Sequence, residues 1–400
     1  MTGTGVTAAA GFRAAGVTAG LKDSGRPDIA LVVNDGPGTA AAGVFTRNRV
    51  QAAPVLWTRQ ALADGELKAV ILNSGGANAC TGPQGFADTH ESAEHVAGLL
   101  GTGAAEVAVC STGLIGTYLP MDKLLTGATA AFQALTDDGG ADAAEAIRTT
   151  DSVPKTAVRT SSGSDSDSDS GSGSGAVVTV GGMAKGAGML APALATMLCV
   201  LTTDAVADAA TLDAALRDAT RTTFERLDTD GCLSTNDTVL LLASGASGVT
   251  LPAEELSELV RAVCDDLADQ LLADAEGAGK EVYIEVGGAA TEDDALEVGR
   301  AVSRSSLLKC ALAGEDPNWG RVLSAIGTTA ATFDPLSLDV AVNGVWVCRD
   351  SAPGESRDGV DMSDRRIDIR IDLKAGSESL VIRTTDLTEA YVHENSAYST

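Results

Sequence analysis

One hydroxyl interrupts an apolar run near the middle of the chain. The stretch LAPALATMLCVL at residues 190–201 is apolar except for Thr196, which follows Ala195. A buried hydroxyl without a hydrogen-bond partner costs free energy, so its presence needs a reason. A lone threonine in such a run is most often structural. The alternative is that its oxygen acts as a nucleophile.

A nucleophilic hydroxyl needs a base beside it, and the chain has few histidines for that task. They are His90 and His95, in an acidic helical segment, and His393 near the C-terminus. No G-x-S-x-G motif accompanies them, so a Ser-His-Asp type of triad is poorly supported. A cut between Ala195 and Thr196 would supply another base. Thr196 would then carry an α-amine, whose ordinary pKa is about 7.7–8.0.

Composition excludes several functional classes. The 400 residues suffice for one large domain or two to three ordinary ones, and 44% are hydrophobic. Aromatic residues are only 3%, so the core must be built from Ala, Val and Leu. The formal charge of −27 argues against nucleic-acid and anionic-membrane partners, which need clustered Lys and Arg. An acidic excess of this kind is more typical of solubility.

Cysteine usage and the N-terminus indicate a cytoplasmic protein. The seven cysteines are an odd number and include no CxxC pair. We therefore expect reduced, buried cysteines, and neither a disulfide framework nor a zinc site. The N-terminal residues lack the pattern of a signal peptide. The longest apolar stretch, 187–201, is too short to span a bilayer and contains Pro192.

Hydrophobic patterns predict helices and strands in both halves of the chain, hence an α/β or α+β fold of layered sheets flanked by helices. Strands are predicted within 68–82, 106–116, 338–348, 366–373 and 379–385, and helices over 88–100, 211–227, 253–274 and 291–313. Asn343-Gly344 predicts a hairpin turn. Thr291, with Asp294 three residues on, resembles a capping box.

Two loops stand out in this pattern. The stretch 161–175 contains only Ser, Asp and Gly, so it is predicted to be a flexible surface insertion. It lies between strands predicted to end near Val158 and to restart at Ala176. The sequence Ser111-Thr112-Gly113 follows the strand within 106–116. Such a turn is usually only a polar connection, but its backbone amides could also bind an anion or a developing oxyanion.

The residues around Thr196 resemble the signature of a known family. KGAGMLAPALATMLCVLTTDA, at 185–205, is similar to the K-G-x-G-M-x-x-P-x-x-A-T-M pattern of the ornithine acetyltransferases. These glutamate N-acetyltransferases of arginine biosynthesis cleave themselves before the Thr. The resemblance covers nearly the whole chain through GFRAAGVTAGLK (11–22), GVFTRNRVQAAPV (43–55), NSGGANACTG (73–82), STGLIG (111–116), TTDSVPK (149–155), STNDTVLLL (234–242), DAEGAGK (274–280), DPNWGRV (316–322) and ENSAYST (394–400).

The resemblance implies a fold, a processing event and an activity. The fold is the self-cleaving, N-terminal-nucleophile type of the ornithine acetyltransferases and DmpA. Cleavage would yield an α chain of residues 1–195 and a β chain of 196–400, assembled as an α2β2 heterotetramer. The activity is transfer of an acetyl group from N2-acetylornithine to glutamate by a ping-pong route. The family implies no metal or organic cofactor, and whether acetyl-CoA is also a donor stays open.

The resemblance also implies roles for individual residues. The predicted roles are nucleophile and substrate contact for Thr196, oxyanion stabilisation for Thr112 and Gly113, and substrate binding for Thr149, Lys185, Glu276, Asn395 and Thr400. Lys185 could hold the substrate carboxylate and Glu276 the side-chain ammonium. Alternatively, Lys185 is a surface charge in a Gly-rich turn, and Glu276 belongs to the last turn of an acidic helix. Thr150 is an alternative to Thr149.

The chain departs from the family pattern in two places. One is the Ser/Asp/Gly insertion, which we expect in a hairpin loop away from the chemistry. The other is Ala193-Leu194, where many relatives carry Asn-Met. Two further functions stay open: a self-processing amidase or aminopeptidase that transfers the acyl group to water, and a non-catalytic binding protein. The ENSAYST tail favours transfer, and the intact Ala195-Thr196 junction argues against a non-catalytic protein.

Overall fold

The computed structural model describes residues 3–161, 177–189 and 197–397. Thr196, Ala195 and Thr400 lie outside these residues, as does all of the Ser/Asp/Gly loop except Ser161. Within the described ranges the strands form three sheets, with helices packed against them.

The strands alternate with helices along most of the chain. The strands are β1 Phe12–Val17, β2 Ile29–Asn34, β3 Ala41–Phe45, β4 Ala69–Ser74, β5 Val107–Thr112, β6 Lys155–Thr160, β7 Thr179–Lys185, β8 Leu198–Thr203, β9 Thr238–Ala243, β10 Glu281–Ala289, β11 Asp339–Val342, β12 Val345–Arg349, β13 Ala352–Pro353, β14 Arg366–Asp372 and β15 Glu378–Thr385. The helices are α1 Ala53–Ala61, α2 Gly82–Leu100, α3 Met121–Gln133, α4 Gly140–Ala146, α5 Ala209–Thr222, α6 Ala253–Ala273, α7 Glu292–Ser303, α8 Ser306–Ala313, α9 Trp319–Ile326 and α10 Glu389–Ala397. This order confirms the predicted mixture of helices and strands.

Two sheets pack face to face at the centre of the molecule. The first has the strand order β1-β2-β4-β5 and the second β3-β9-β8-β7-β6. Val70 and Leu72 of β4 share one buried cluster with Leu198 and Val200 of β8. Small and branched side chains fill this space because the sequence has few aromatic residues. The apolar run after Thr196 is therefore a central strand, buried on both faces as such continuous runs are.

Helices cover the outer face of each central sheet. The side chains of β8 alternate, so that Cys199 and Leu201 point away from the first sheet and pack with α5 and α6. On the other side, α1, α2 and α3 pack over the first sheet around Ile71 and Trp57. The result is a four-layer arrangement of helix, sheet, sheet and helix. Full burial of one Leu or Val in such layers contributes about 1.5–3 kcal/mol.

The third sheet is built from the C-terminal part of the chain. Its order is β13-β12-β11-β14-β10-β15, and α7, α8 and α9 pack around its core. The hairpin of β11 and β12 turns at Asn343 and Gly344, whose φ angles of 45° and 85° are those of the predicted turn. In β14, Ile367, Ile369 and Ile371 are buried between exposed residues, which confirms the alternation in the sequence.

Three predicted helices differ from the structure at their ends. The helix expected over 211–227 is α5, which ends at Thr222 because the backbone leaves helical geometry at Thr223, and a short 3-10 helix, Phe224–Arg226, follows. The helix expected over 88–100 begins at Gly82, because Pro83 in its first turn starts a helix rather than ending one. The helix expected over 291–313 is two helices, α7 and α8. Ser305 separates them and caps α8 by accepting the N–H of Leu308. Thr291 caps α7 as predicted, since its side chain accepts the N–H of Asp294.

The cysteine prediction is wrong in part. Cys110, Cys199, Cys264 and Cys348 are buried as expected, but Cys80, Cys232 and Cys310 are exposed. All seven lie within the described ranges as free thiols. In those same ranges, no helix combines the length and the apolar character that crossing a membrane would require.

The Ser/Asp/Gly insertion joins two antiparallel strands. β6 and β7 pair from Thr160 with Thr179 to Lys155 with Ala184. The insertion leaves the pair at the Thr160 end, and Lys185 lies at the opposite end. The chain therefore enters and leaves the insertion at the end of the hairpin that is remote from the predicted site.

Candidate functional site

The site lies where the ends of neighbouring strands meet at one edge of the second sheet. Lys155 begins β6, and Lys185 ends its antiparallel neighbour β7. Lys185 pairs with Leu198 at the start of β8, and Leu198 in turn pairs with Thr238 at the start of β9. This register brings chemistry-bearing residues from four separate segments to the same edge, next to the end of β5 in the first sheet.

A hydrogen bond connects the two central sheets at this edge. Lys185 is 2% exposed, and its Nζ lies 3.3 Å from Oγ1 of Thr112, the last residue of β5. An ammonium group has only donors, so the Thr112 hydroxyl accepts this bond and keeps its own proton. Within the described ranges, no acceptor is found for that proton or for the N–H of Gly113. Among the described residues, therefore, neither donor is already used.

The turn after β5 holds these donors in a shape that needs glycine. Gly113 has a φ of 129°, and a Cβ atom there would lie 2.6 Å from the Gly76 nitrogen. The N–H groups of Gly75 and Gly76 donate to the Thr112 carbonyl at 2.9 and 3.0 Å. The Asn236 side chain donates to the Ser111 carbonyl at 2.8 Å. These bonds hold the end of β5 in one conformation before a ligand binds, which is what the stabilisation of an oxyanion requires.

Asp151 is the centre of a buried network of charges. Its Oδ1 accepts the Nζ of Lys155 and the N–H of Gly186, both at 2.7 Å. Its Oδ2 accepts the N–H of Thr149 at 3.0 Å. Lys155 also donates to Asp274 at 2.6 Å. One carboxylate thus holds the loop of Thr149, the start of β6 and the chain beyond β7.

The same network sets the charges at the site. Burial alone would raise the pKa of the Asp151 carboxyl, but Lys185 and Lys155 together lower it well below its usual value. Burial lowers the pKa of Lys185, against the raising effect of Asp151. Asp151 therefore balances the Lys185 charge without occupying its donors. A buried ammonium in this state is suited to an anionic group of a ligand.

Glu276 and Asn395 form the opposite wall. Glu276 follows the end of α6, and Asn395 donates to its Oε2 at 3.1 Å from α10. The Glu276 carboxylate lies over Gly188, where a Cβ atom would be 2.5 Å from its oxygen. The carboxylate is therefore held close to the loop that leads from β7 toward Thr196.

A small cavity unites the predicted residues. It has a volume of about 60 Å³ and is lined by Thr112, Gly113, Thr149, Thr150, Lys185, Gly188, Met189, Glu276 and Asn395. A wider groove of about 510 Å³ adjoins it and shares Thr150 and Glu276. The two neighbouring threonines both line the cavity, so the choice between them stays open. Thr196 and Thr400 lie outside the described residues.

Two details of the sequence interpretation need correction. Lys185 is not in a turn or on the surface, because it is the buried last residue of β7. Glu276 is not in the last helical turn, since α6 ends at Ala273. Two of the histidines lie elsewhere: the His90 ring packs against Trp57, and His95 bonds to Thr129. Within the described ranges, no three His, Cys, Asp or Glu side chains stand where they could share a metal ion.

Sequence reasoning missed three charged residues of this edge. Asp151 and Lys155 lie within the TTDSVPK motif, and Asp237 lies within STNDTVLLL. The motifs were noticed only as parts of a resemblance. The sequence nevertheless contains a signal for them. Lys and Asp are almost never buried unless they are paired, so charged residues at the ends of strongly apolar strands indicate a buried network of charges.

Residues 13–400 match the model of the ArgJ family. The arginine biosynthesis bifunctional protein ArgJ of Streptomyces avermitilis is 64% identical over 98% of this chain and 99% of its own length. That of Thermobifida fusca is 60% identical over 99% and 100%. A solved ornithine acetyltransferase of Mycobacterium tuberculosis, in complex with ornithine, is 59% identical over 47% of this chain and 95% of that chain, with a TM-score of 0.42.

The buried network yields a prediction about stability. We expect Asp151→Asn to lower the free energy of unfolding by about 3–5 kcal/mol, because it leaves buried lysine charge uncompensated. Urea unfolding at pH 7 measures this loss. The Asp151 pKa is lowered on folding, so its contribution is present above the ordinary value of 3.8 and is lost as the pH falls below it. The difference in the free energy of unfolding between wild type and Asp151→Asn should therefore become smaller in acid.

Asp266→Asn is the matched control. Asp266 forms an ion pair of 2.8 Å with Arg159, which lies on β6 as Lys155 does. Both side chains of this pair are partly exposed. An exposed pair contributes about 0–1 kcal/mol. Equal losses in the two variants would contradict the role given to Asp151.

Proposed function

Since the chain belongs to the ArgJ family, we propose that it moves an acetyl group from N2-acetylornithine to glutamate through an ester on Thr196. Family membership makes the protein an acyltransferase of arginine biosynthesis. It favours transfer to an amino acid over the alternative of a self-processing amidase. The residues and steps named below are our proposal.

Self-cleavage would come first. The Thr196 hydroxyl attacks the Ala195 carbonyl carbon, and the amide bond to the Thr196 nitrogen breaks as that nitrogen takes the hydroxyl proton. The product is an ester of Ala195 on the Thr196 oxygen. Water then hydrolyses this ester, which frees residues 1–195 and restores the hydroxyl. Thr196 now begins its own chain and carries an α-amine with a pKa suited to general base catalysis.

Acetyl transfer would follow in two halves. The Thr196 amine takes the proton of its own hydroxyl, and the oxygen attacks the acetyl carbon of N2-acetylornithine. Ornithine leaves with that proton on its α-nitrogen, and an acetyl ester remains. The α-amine of glutamate then attacks the ester, and N-acetylglutamate and the free hydroxyl result. Such a sequence shows ping-pong kinetics.

The convergence of the predicted residues carries this proposal. Thr112, Lys185, Glu276 and Asn395 come from four distant segments, and they line one cavity. The unused proton of the Thr112 hydroxyl and the N–H of Gly113 are suited to the negative charge that grows on the acetyl oxygen. The loop beside that cavity continues from Met189 toward Thr196.

The charges of the cavity suit a zwitterionic substrate. N2-acetylornithine carries one carboxylate and one ammonium. Lys185 is buried and has donors to spare, so we assign it the carboxylate. Glu276 stands on the opposite wall and borders the wider groove, so we assign it the ammonium. Use of acetyl-CoA as a second donor stays open, although the relatives are named bifunctional.

Assembly and location complete the proposal. We infer an α2β2 heterotetramer of the two cleaved chains, as the family resemblance implies. We also infer a cytoplasmic location. All seven cysteines are within the described ranges and none is in a disulfide, as is typical of a reducing compartment.

The first test concerns the cut itself. We expect wild type to give two chains by denaturing mass analysis, residues 1–195 and 196–400, and Thr196→Ala to give one. Thr202→Ala is the control, because it removes a buried hydroxyl from β8 without touching the junction. A single chain from wild type, or a cut Thr196→Ala chain, would overturn the mechanism.

The second test concerns the oxyanion donors. We expect Thr112→Val to lower kcat about 10²–10³-fold, because one donor to the acetyl oxygen is lost. Ser111→Ala removes the neighbouring buried hydroxyl, which donates to Asn73 at 2.6 Å and not to the cavity. Steady-state kinetics on both variants should separate them. Equal losses of kcat would exclude a specific role for Thr112.

The third test concerns substrate charge. We expect Glu276→Gln to raise the KM for N2-acetylornithine about 10–100-fold, since a charge-assisted hydrogen bond is worth about 1.5–3 kcal/mol. The KM for glutamate, whose side chain is anionic, should not rise. Glu394→Gln removes a charge from the adjoining groove and serves as control. An unchanged KM for N2-acetylornithine in Glu276→Gln would refute the assignment.

A further inference from the structure

Asp237 lies at the start of the strand that runs parallel to β8. It immediately precedes β9, is fully buried, and accepts the N–H of Met197 with Oδ1 at 3.1 Å. The N–H of Thr238 donates in turn to the Met197 carbonyl at 3.1 Å. The nitrogen of Met197 belongs to the peptide bond that joins it to Thr196. Asp237 therefore holds the amide that directly follows the proposed nucleophile.

The second oxygen of this carboxyl is unused. Within the described residues, Oδ2 of Asp237 is buried and has no hydrogen-bond partner. A buried polar atom without a partner costs about 1–3 kcal/mol, so such atoms are rare and call for an explanation. Burial raises the pKa of Asp237 well above its usual value, against the lowering effect of the Met197 N–H. Burial therefore favours the protonated form of this carboxyl.

The charged neighbours do not supply the missing partner. Lys185 on β7 acts on Asp237 through its charge, but its one hydrogen bond within the described ranges goes to Thr112. Asp151 and Lys155 lie one strand further away and pair with each other. Glu276 acts on Lys185 from the opposite wall. The hydroxyls of Ser234 and Thr46 lie near this carboxyl and lower its pKa, but within the described residues Oδ2 still has no hydrogen-bond partner.

We propose that Asp237 is the positioning residue of the amino terminus that self-cleavage creates, with Oδ1 holding the Thr196–Met197 amide and Oδ2 sharing a proton with the new α-amine. The inference rests on the proposed function, because it needs the cut before Thr196. It goes beyond that function in naming the group that orients the base and carries its proton.

The proton balance of this step is closed. Hydrolysis of the Ala195–Thr196 bond consumes one water and leaves a carboxylate on Ala195 and an ammonium on Thr196. The amine acts as a base only after the ammonium has lost a proton. Asp237 takes that proton, and its carboxylate becomes a neutral carboxyl, the form that burial favours. The reverse transfer restores the starting pair, and no further reactant takes part.

Two variants and one control test the proposal. Asp237→Asn keeps the shape but loses the charge. Asp237→Leu removes both carboxyl oxygens, so that the Met197 N–H alone loses its partner, and it is the second variant if the amide is not tolerated. Asp204→Asn is the control: this buried carboxyl at the far end of β8 accepts the N–H groups of Thr179 and Ala10 at 2.8 and 3.2 Å. Each variant is examined for thermal stability, cleavage by intact mass, kcat, KM and the pH profile of kcat/KM.

The expected result is a defect confined to the chemistry. Folded Asp237→Asn or Asp237→Leu should cleave at least 10-fold more slowly than wild type. Any mature enzyme should lose at least 10-fold in kcat with little change in KM. The acid limb of its kcat/KM profile should move to higher pH, because the ammonium then has no carboxylate to accept its proton and must lose it to solvent. Asp204→Asn should affect only the stability.

Other outcomes separate the two proposals. If a folded Asp237 variant cleaves at the wild-type rate and keeps the wild-type kcat and pH profile, Asp237 is only structural and the inference is wrong. If wild type itself yields one uncut chain, the proposed function is wrong, and the inference that depends on the cut is wrong with it. A variant that resembles Asp204→Asn in every readout likewise overturns the inference.

Discussion

The pairing of β8 with its neighbours is the constraint on which the remaining structure depends. β8 is central in its sheet, antiparallel to β7 and parallel to β9, and both its faces are buried. Its register therefore cannot slip without moving apolar side chains from one core to the other. That register places Lys185 and Asp237 on either side of the chain that emerges from Thr196. The geometry of the site is thus a consequence of how the core is packed.

Buried charge is the cost of this arrangement, and the structure offsets it locally. Lys155 and Lys185 lie side by side at one sheet edge, where unpaired ammonium groups would be strongly destabilising. Asp151 accepts hydrogen bonds from Lys155 and from two backbone amides, and it faces Lys185 through space. Lys185 is therefore buried beside a balancing carboxylate, and within the described residues its one hydrogen bond goes to Thr112. That combination suits ligand recognition better than it suits stability.

Much of the fold could be predicted, and the errors have identifiable causes. The alternation at 366–373 and the Asn343-Gly344 turn are local patterns, and both appear in the structure. The start of α2 was misplaced, because the turn chemistry of Pro83 was overlooked. The break before α8 was missed, because Ser305 caps a helix within a continuous periodic pattern.

By itself, the sequence determined which residue types the site contains, because the motifs around 112, 185 and 276 are contiguous and resemble one family. It also determined the class of fold, since apolar periodicity is a local property. Only the tertiary structure decided that Lys185 is buried, that Asp151 balances its charge, and that Asp237 holds the amide after Thr196. These facts depend on strand register and sheet packing, which join segments far apart in the chain.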